Sequence, residues 1–155
     1  MQFDDRLILK DNKSAFMVGF YTWEMEHQAS AKNMLVALRA IYDSDEANKM
    51  NIVPLPGNYL SKCKMSKFNL VEGDFVKLFK VKYSAHDNRI LKVEIRTNRN
   101  NKYEFGDRRQ FSDLMAGENV YGFDIAIGEY PTSLFGSYHS VRSHWYMESV
   151  GVEVA

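Results

Sequence analysis

"EGDFVKLFKV", residues 72–81, and "AGENVYGFDI", residues 116–125, align without a gap at a separation of 44 positions. Gly73 meets Gly117, Asp74 meets Glu118, Val76 meets Val120, Phe79 meets Phe123 and Val81 meets Ile125. In each copy a glycine and an acid, turn chemistry, run into a segment of alternating apolar residues. Phe68 and Phe111 stand a few residues upstream. Recurrence at this spacing predicts a chain assembled from repeated strand units.

Two such units leave a third to be found in residues 15 to about 60, and this decides the hardest segment. "SAKNMLVALRAIYDSDE", residues 30–46, reads two ways. Met34, Ala37, Leu38 and Ile41 have helical spacing with Ser30 as a possible cap, while Val36, Leu38, Ala40 and Tyr42 share one face of a strand. Local periodicity slightly favours the helix. The repeat favours paired strands, "AFMVGFYTWEME" against "MLVALRAIYDSD", and strands are the more economical reading.

The remaining runs alternate with period two. "FVKLFKVKY" sets Phe75, Phe79, Val81 and Tyr83 on one face, and "RILKVEIRTN" sets Leu91, Val93 and Ile95 against Lys92, Glu94 and Arg96. "SAHDN" between them is turn chemistry, so the two form a hairpin. "VYGFDIAIG" alternates Tyr121, Phe123, Ile125 and Ile127; "WYMESVGVEV" supplies Met147, Val150, Val152 and Val154, with a slip at Ser149 that suggests a bulge. Phe79, Val81, Val93, Ile95, Phe123, Ile125, Val150 and Val152 are expected inside. The three prolines fall in expected connections, Pro54 and Pro56 in "VPLPGN" and Pro131 in "GEYPTS".

Composition narrows the function. The 155 residues fit one domain, and with 20 basic and 20 acidic side chains the chain carries no electrostatic footprint for nucleic acid. The lone Cys63 excludes an internal disulfide framework and a cysteine-based zinc site. His27, His86, His139 and His144 lack metal-ligand spacing, and no P-loop, nucleophile elbow or dinucleotide fingerprint occurs. Neither a catalytic centre nor a cofactor is expected. "DRR" (Asp107–Arg109) and "RTNRNNK" read as a solvated basic edge, and "YDSDEANK" as a turn. No basic-then-apolar leader and no long apolar run is seen, so the expected setting is intracellular, without membrane insertion.

The order "FDD", "FNLVEGDFVKLFKVKY", "RILKVEIRTNRNNKYEFG", "ENVYGFDIAIG" and "WYMESVGVEV" resembles a jacalin-related lectin domain across nearly the whole chain. The resemblance implies one domain over residues 1–155, an all-β prism of three four-stranded Greek-key sheets about a pseudo-threefold axis. It also implies a sugar site at one end, held by a Gly-x-x-x-Asp turn in the last hairpin and completed by a glycine-rich N-terminal loop. The matching residues are His144, Trp145, Tyr146, Met147 and Glu148. Histidine stands where the glycine would be, glutamate replaces the aspartate, and Gly19 is the only glycine among the first 20 residues. The site therefore reads as eroded. Histidine obstructs the close approach that glycine permits.

Two uses follow from the resemblance and the residues together. One is a non-catalytic binding module serving as an interaction subunit. Its aromatic-rich loop "EYPTSLFGSYHSVRSHWY" would dock on other proteins through Tyr130, Leu134, Phe135, Tyr138 and Trp145. The other is an active lectin that binds glycans through residues 144–148.

Overall fold

The computed structural model describes residues 1–10, 15–27, 32–141 and 144–154. The strands are β1 (Gln2–Asp4), β2 (Met17–His27), β3 (Lys32–Tyr42), β4 (Lys64–Asn69), β5 (Val76–Ser84) and β6 (Arg89–Thr97). They continue with β7 (Lys102–Gly106), β8 (Glu118–Asp124), β9 (Pro131–Val141) and β10 (His144–Val154). Among the described residues, helical turns are confined to a 3-10 turn at Asp5–Leu7 and two short helices, α1 (Asp45–Met50) and α2 (Gly57–Leu60).

All strand pairing is antiparallel, in three sheets of order β1-β9-β10, β3-β2-β4 and β7-β6-β5-β8. In the last, three hairpin-linked strands are followed by a fourth that returns beside the first, a complete Greek key. The other two follow the same plan without the third strand. Thus β2, β5 and β9 are equivalent, as are β3, β6 and β10, and β4, β8 and β1. The expected β-prism with three repeated units is present.

Four strands per sheet is corrected to three, three and four among the described residues. Beside β3 the place of a third strand is taken by the α1 segment, whose asparagines satisfy the exposed strand edge. Asn48 Oδ1 accepts from Tyr42 N–H at 2.9 Å and its Nδ2 donates to Tyr42 O at 2.7 Å. Asn51 Nδ2 donates to Ala40 O at 3.0 Å. Side-chain amides there replace a ladder of backbone bonds. Within the "YDSDEANK" stretch a helix starts at Asp45, capped by Ser44, whose Oγ accepts from Ala47 N–H at 3.2 Å, so the stretch is not a bare turn.

The threefold does not run through the two aligned segments. β5 and β8 are the first and fourth strands of one sheet, bonded side by side, with Phe79 directly opposite Phe123. The two segments are therefore neighbours in one sheet rather than two copies of a unit.

Residues 32–42 form a strand paired with β2, so the helical alternative is set aside; Ser30 lies outside the described residues. Leu35, Val36, Ala37, Leu38 and Ala40 are all buried. Burial on both faces explains the ambiguous period, because such a strand reads as one apolar run. β10 packs against both β3 and β6, which makes these three equivalent strands the centre of the prism. Two buried tyrosines lock the sheets. Tyr138 Oη donates to Leu38 O at 3.0 Å, and Tyr42 Oη donates to Asp5 while accepting from Leu134 N–H at 3.1 Å.

Several side chains depart from their expected faces. A bulge at Lys77, between the Val76 and Leu78 pairings, turns Val76 into the core and leaves Phe75 exposed. Phe123 is 38% exposed, and Val150 and Val152 are only partly buried. Lys82, Lys92 and Glu94 are buried, and residues 107–117 fold across the two lysines. Lys82 Nζ donates to Gln110 O at 2.6 Å and Asp113 O at 3.1 Å, and Lys92 Nζ donates to Arg109 O at 2.7 Å. The "DRR" edge is therefore not a free basic patch: Arg109 is clamped between Asp107, at 2.7 Å, and Glu118, at 2.8 Å. Pro131 opens β9 rather than lying in a connection, a position that lacks no needed donor.

Candidate functional site

The largest correction concerns the proposed docking loop. Residues 131–141 are β9, hydrogen-bonded to β1 and β10. Period-two alternation was masked there by glycine, serine and histidine. Leu134 and Tyr138 are core residues, 0% and 1% exposed, and cannot meet a partner. The Phe135 ring lies over Gly151, where an added Cβ would fall 2.4 Å from it. Trp145 is half-buried and packs against the core. Tyr130, ahead of β9, is 55% exposed, and Phe135 keeps 38% of its surface exposed.

The five residues matched to the sugar turn are likewise divided. Met147 is fully buried. The Tyr146 ring is held by its neighbours: it stacks on His144 with centroids 6.5 Å apart, meets His139 at 6.0 Å, and has the Arg89 guanidinium 5.1 Å from its centre. His144, exposed at the start of β10, also meets Tyr59 edge-on. These contacts make residues 144–147 a packed end of the prism.

Glu148 is different. Met147 pairs with Tyr138 and Ser149 with Ser137, so Glu148 is the extra residue of a β-bulge, at the expected slip. A bulge re-aims its side chain. Here the carboxylate enters a groove of about 730 Å³ between β5 and β8 on one side and β9 and β10 on the other. Asn88 Nδ2 donates to Glu148 Oε1 at 2.9 Å, and Ser137 Oγ donates to Oε2 at 3.3 Å. Ser137 and Ser149 share a hydroxyl bond of 2.7 Å. Tyr83 Oη donates in turn to Asn88 Oδ1, so carboxylate, amide, phenol and two hydroxyls form one connected network.

The opposite wall is aromatic. Tyr83 and Tyr121 lie 6.5 Å apart, Tyr121 is 59% exposed, and Phe123 stacks on the buried Phe79 at 5.8 Å. Asn88 is held in place by the β5–β6 turn, where its φ of 53° is a left-handed conformation that asparagine tolerates. In the sequence "SAHDN" shows only turn chemistry, with no sign that Asn88 belongs to a site. The same holds for Tyr83, Ser137 and Ser149, because nothing local shows that two hairpins from different sheets converge.

Among the described residues no group of three or more His, Cys, Asp or Glu side chains is gathered as a metal site. Cys63 is half-buried, its thiol donating to Tyr59 O at 3.6 Å, and burial pushes its pKa up, away from thiolate character. No described helix is long and apolar enough to cross a membrane.

No family model and no curated protein sequence matches the chain. Solved structures do. A prostate-specific WGA16 glycoprotein lectin superposes with a TM-score of 0.61 at 13% identity, over 100% of this chain and 88% of that one. A mannose-binding lectin from Champedak gives 0.59 at 15% identity, covering 99% and 88%. The chain has the fold of the jacalin-related lectins. Jacalin itself, crystallised with mellibiose, superposes with a TM-score of 0.60 at 10% identity over 99% of this chain and 98% of that one. Within the jacalin fold, Glu148 sits in the last hairpin of the chain. Its longer side chain points sideways into the groove between two sheets, where Asn88 and Ser137 meet it.

Proposed function

We propose that the protein is a non-catalytic carbohydrate-binding module whose site is the groove at Glu148. The observation that carries this reading is a carboxylate, bulged out of β10, facing an aromatic wall across a network of amide and hydroxyl groups. Sugars present that pair of demands. Vicinal hydroxyls need acceptors and donors a few ångströms apart, and the C–H face of the ring needs an apolar plane. Glu148 supplies the acceptor, Asn88 and Ser137 supply both kinds of group, and Tyr121 and Phe123 supply the plane. The substitutions that read as erosion in the sequence move the site from the end turn into the groove.

Docking on protein through the β9 stretch is left with Tyr130 and Phe135 as exposed side chains, because Leu134 and Tyr138 are in the core. The solved lectins that share the fold support binding to glycans over binding to protein. The test is a glycan array read at several protein concentrations, with Glu148→Gln and Asn88→Ala alongside. A charge-assisted bond to a hydroxyl is worth about 1.5–3 kcal/mol, so Glu148→Gln should weaken the best glycan by about 10- to 150-fold. Glycan binding that survives both substitutions at full strength would move the site elsewhere. An array without any ligand at high concentration would reject the function.

A further inference from the structure

At the end of the prism where β2, β5 and β9 begin lies a second cleft of about 820 Å³. β5 separates the two clefts: Phe75, just before it, lines this one, and Asn88, just beyond its other end, lines the groove at Glu148. Nine residues of strand span roughly 25–30 Å. The two sites are distinct.

Three loops wall this cleft. Each contributes an aromatic ring that folding leaves in water: Phe16 is 56% exposed, Phe75 43% and Tyr130 55%. Val71, 51% exposed, adds to the apolar floor. The backbone behind these rings is pinned. Asp43 accepts from Phe16 N–H at 2.8 Å, Asn98 Oδ1 accepts from Phe75 N–H at 2.9 Å, and Leu70 N–H donates to Val18 O at 2.9 Å. Phe16 and Phe75 are thus presented by a held frame.

The charges on the wall have one sign. Glu72, Asp74 and Glu129 line the cleft, and among its described lining residues there is no lysine, arginine or histidine. Asp74 is already matched by Thr97, Asn101 and Arg99, and Arg99 also donates to the Glu72 carbonyl. Glu72 and Glu129 remain to set the potential of the cleft. Aromatic faces beside carboxylates attract an organic cation through the ring quadrupole and through charge. The volume suits a small molecule.

We infer that this cleft binds an alkylated ammonium group, seated among Phe16, Phe75 and Tyr130 and drawn in by Glu72 and Glu129. The probe is choline, titrated into 15N-labelled protein against its uncharged isostere 3,3-dimethylbutan-1-ol. The expected result is amide shifts at Gly73, Phe75, Gly128 and Tyr130, with choline binding at least tenfold more tightly than the alcohol. Tyr130→Ala should remove the binding, and Glu129→Gln should weaken choline several-fold while leaving the alcohol unchanged. Both residues are exposed, and an unchanged thermal midpoint confirms the variants as folded. Phosphatidylcholine vesicles separate two sources of the group. Co-sedimentation that choline releases assigns it to a lipid headgroup, and choline binding without co-sedimentation assigns it to a free ligand. Equal affinity for the alcohol, shifts confined to the Glu148 groove, or no shift from millimolar choline would each overturn the inference.

Discussion

Phe79 and Phe123 hold matching positions in the two aligned segments and stack nearly parallel, yet their energetic roles differ. Phe79 is fully buried, so Phe79→Ala should cost about 3–5 kcal/mol by urea unfolding. Phe123 is 38% exposed and keeps mainly its aromatic pair, worth about 0.5–1.5 kcal/mol. Equal losses at the two positions would mean that their burial is alike. Asp5 offers a second test at this scale. Burial pushes its carboxyl pKa up to about 6, outweighing the Tyr42 hydroxyl bond that favours the charged form. The folded state therefore holds the proton more tightly than the unfolded chain, whose aspartate titrates near about 3.9. Its contribution is fully present below about pH 4 and is lost as pH rises through 6, a change of about 2–3 kcal/mol. Asp107, Glu118 and Asp74, whose pKa values lie below the usual range, act in the opposite sense as pH falls. The difference between wild type and Asp5→Asn isolates the first effect. That difference should change between pH 4 and 7, and a flat difference would contradict the burial.

Among the elements, the segment 107–117 behaves as a cover that two lysines hold down. Lys82 and Lys92 give their ammonium groups to backbone carbonyls of the segment, and Phe111 lies within 4.7 Å of Lys80 Nζ and 5.2 Å of Lys92 Nζ. Burial lowers the Lys82 pKa, and its two carbonyl bonds offset that cost. Hydrogen bonds to a charged group contribute about 1.5–3 kcal/mol, so Lys82→Ala should destabilise by that order. It should also raise hydrogen exchange in residues 108–116 above that of β5 and β6. Unchanged exchange in the cover would show that Arg109 and its two carboxylates suffice. The cover also explains why strict alternation misled at β6. Lys92 looks solvent-facing in the sequence, but only the fold reveals that a remote segment shelters it.

For the whole molecule, closure depends on the start of the chain returning to its end. β1 is the edge strand of the three-stranded sheet β1-β9-β10, and Asp5 beyond it joins Tyr42 in the neighbouring sheet. Removing residues 1–7 should therefore lower the thermal midpoint of the entire prism, by well over 5 °C, and not merely fray one edge. A small local change would show that the two sheets stand without this clasp. Alternation, turn residues and the bulge near Ser149 are local, and the sequence by itself determined them: the β5–β6 hairpin, the strands β8 and β10, and the all-β class. The prism was legible too, although the aligned segments that suggested it are neighbours in one sheet rather than threefold mates. What only the tertiary structure decided is which polar side chains are sheltered and which distant ones meet. Leu134 and Tyr138 became core because they lie on the face of β9 turned toward Tyr42 and Leu38 of β3. Glu148 became a candidate site residue because a bulge turned it toward Asn88, 60 positions away in the sequence. Side-chain period is a property of neighbours along the chain, and burial is a property of neighbours across it; the second cannot be read from the first.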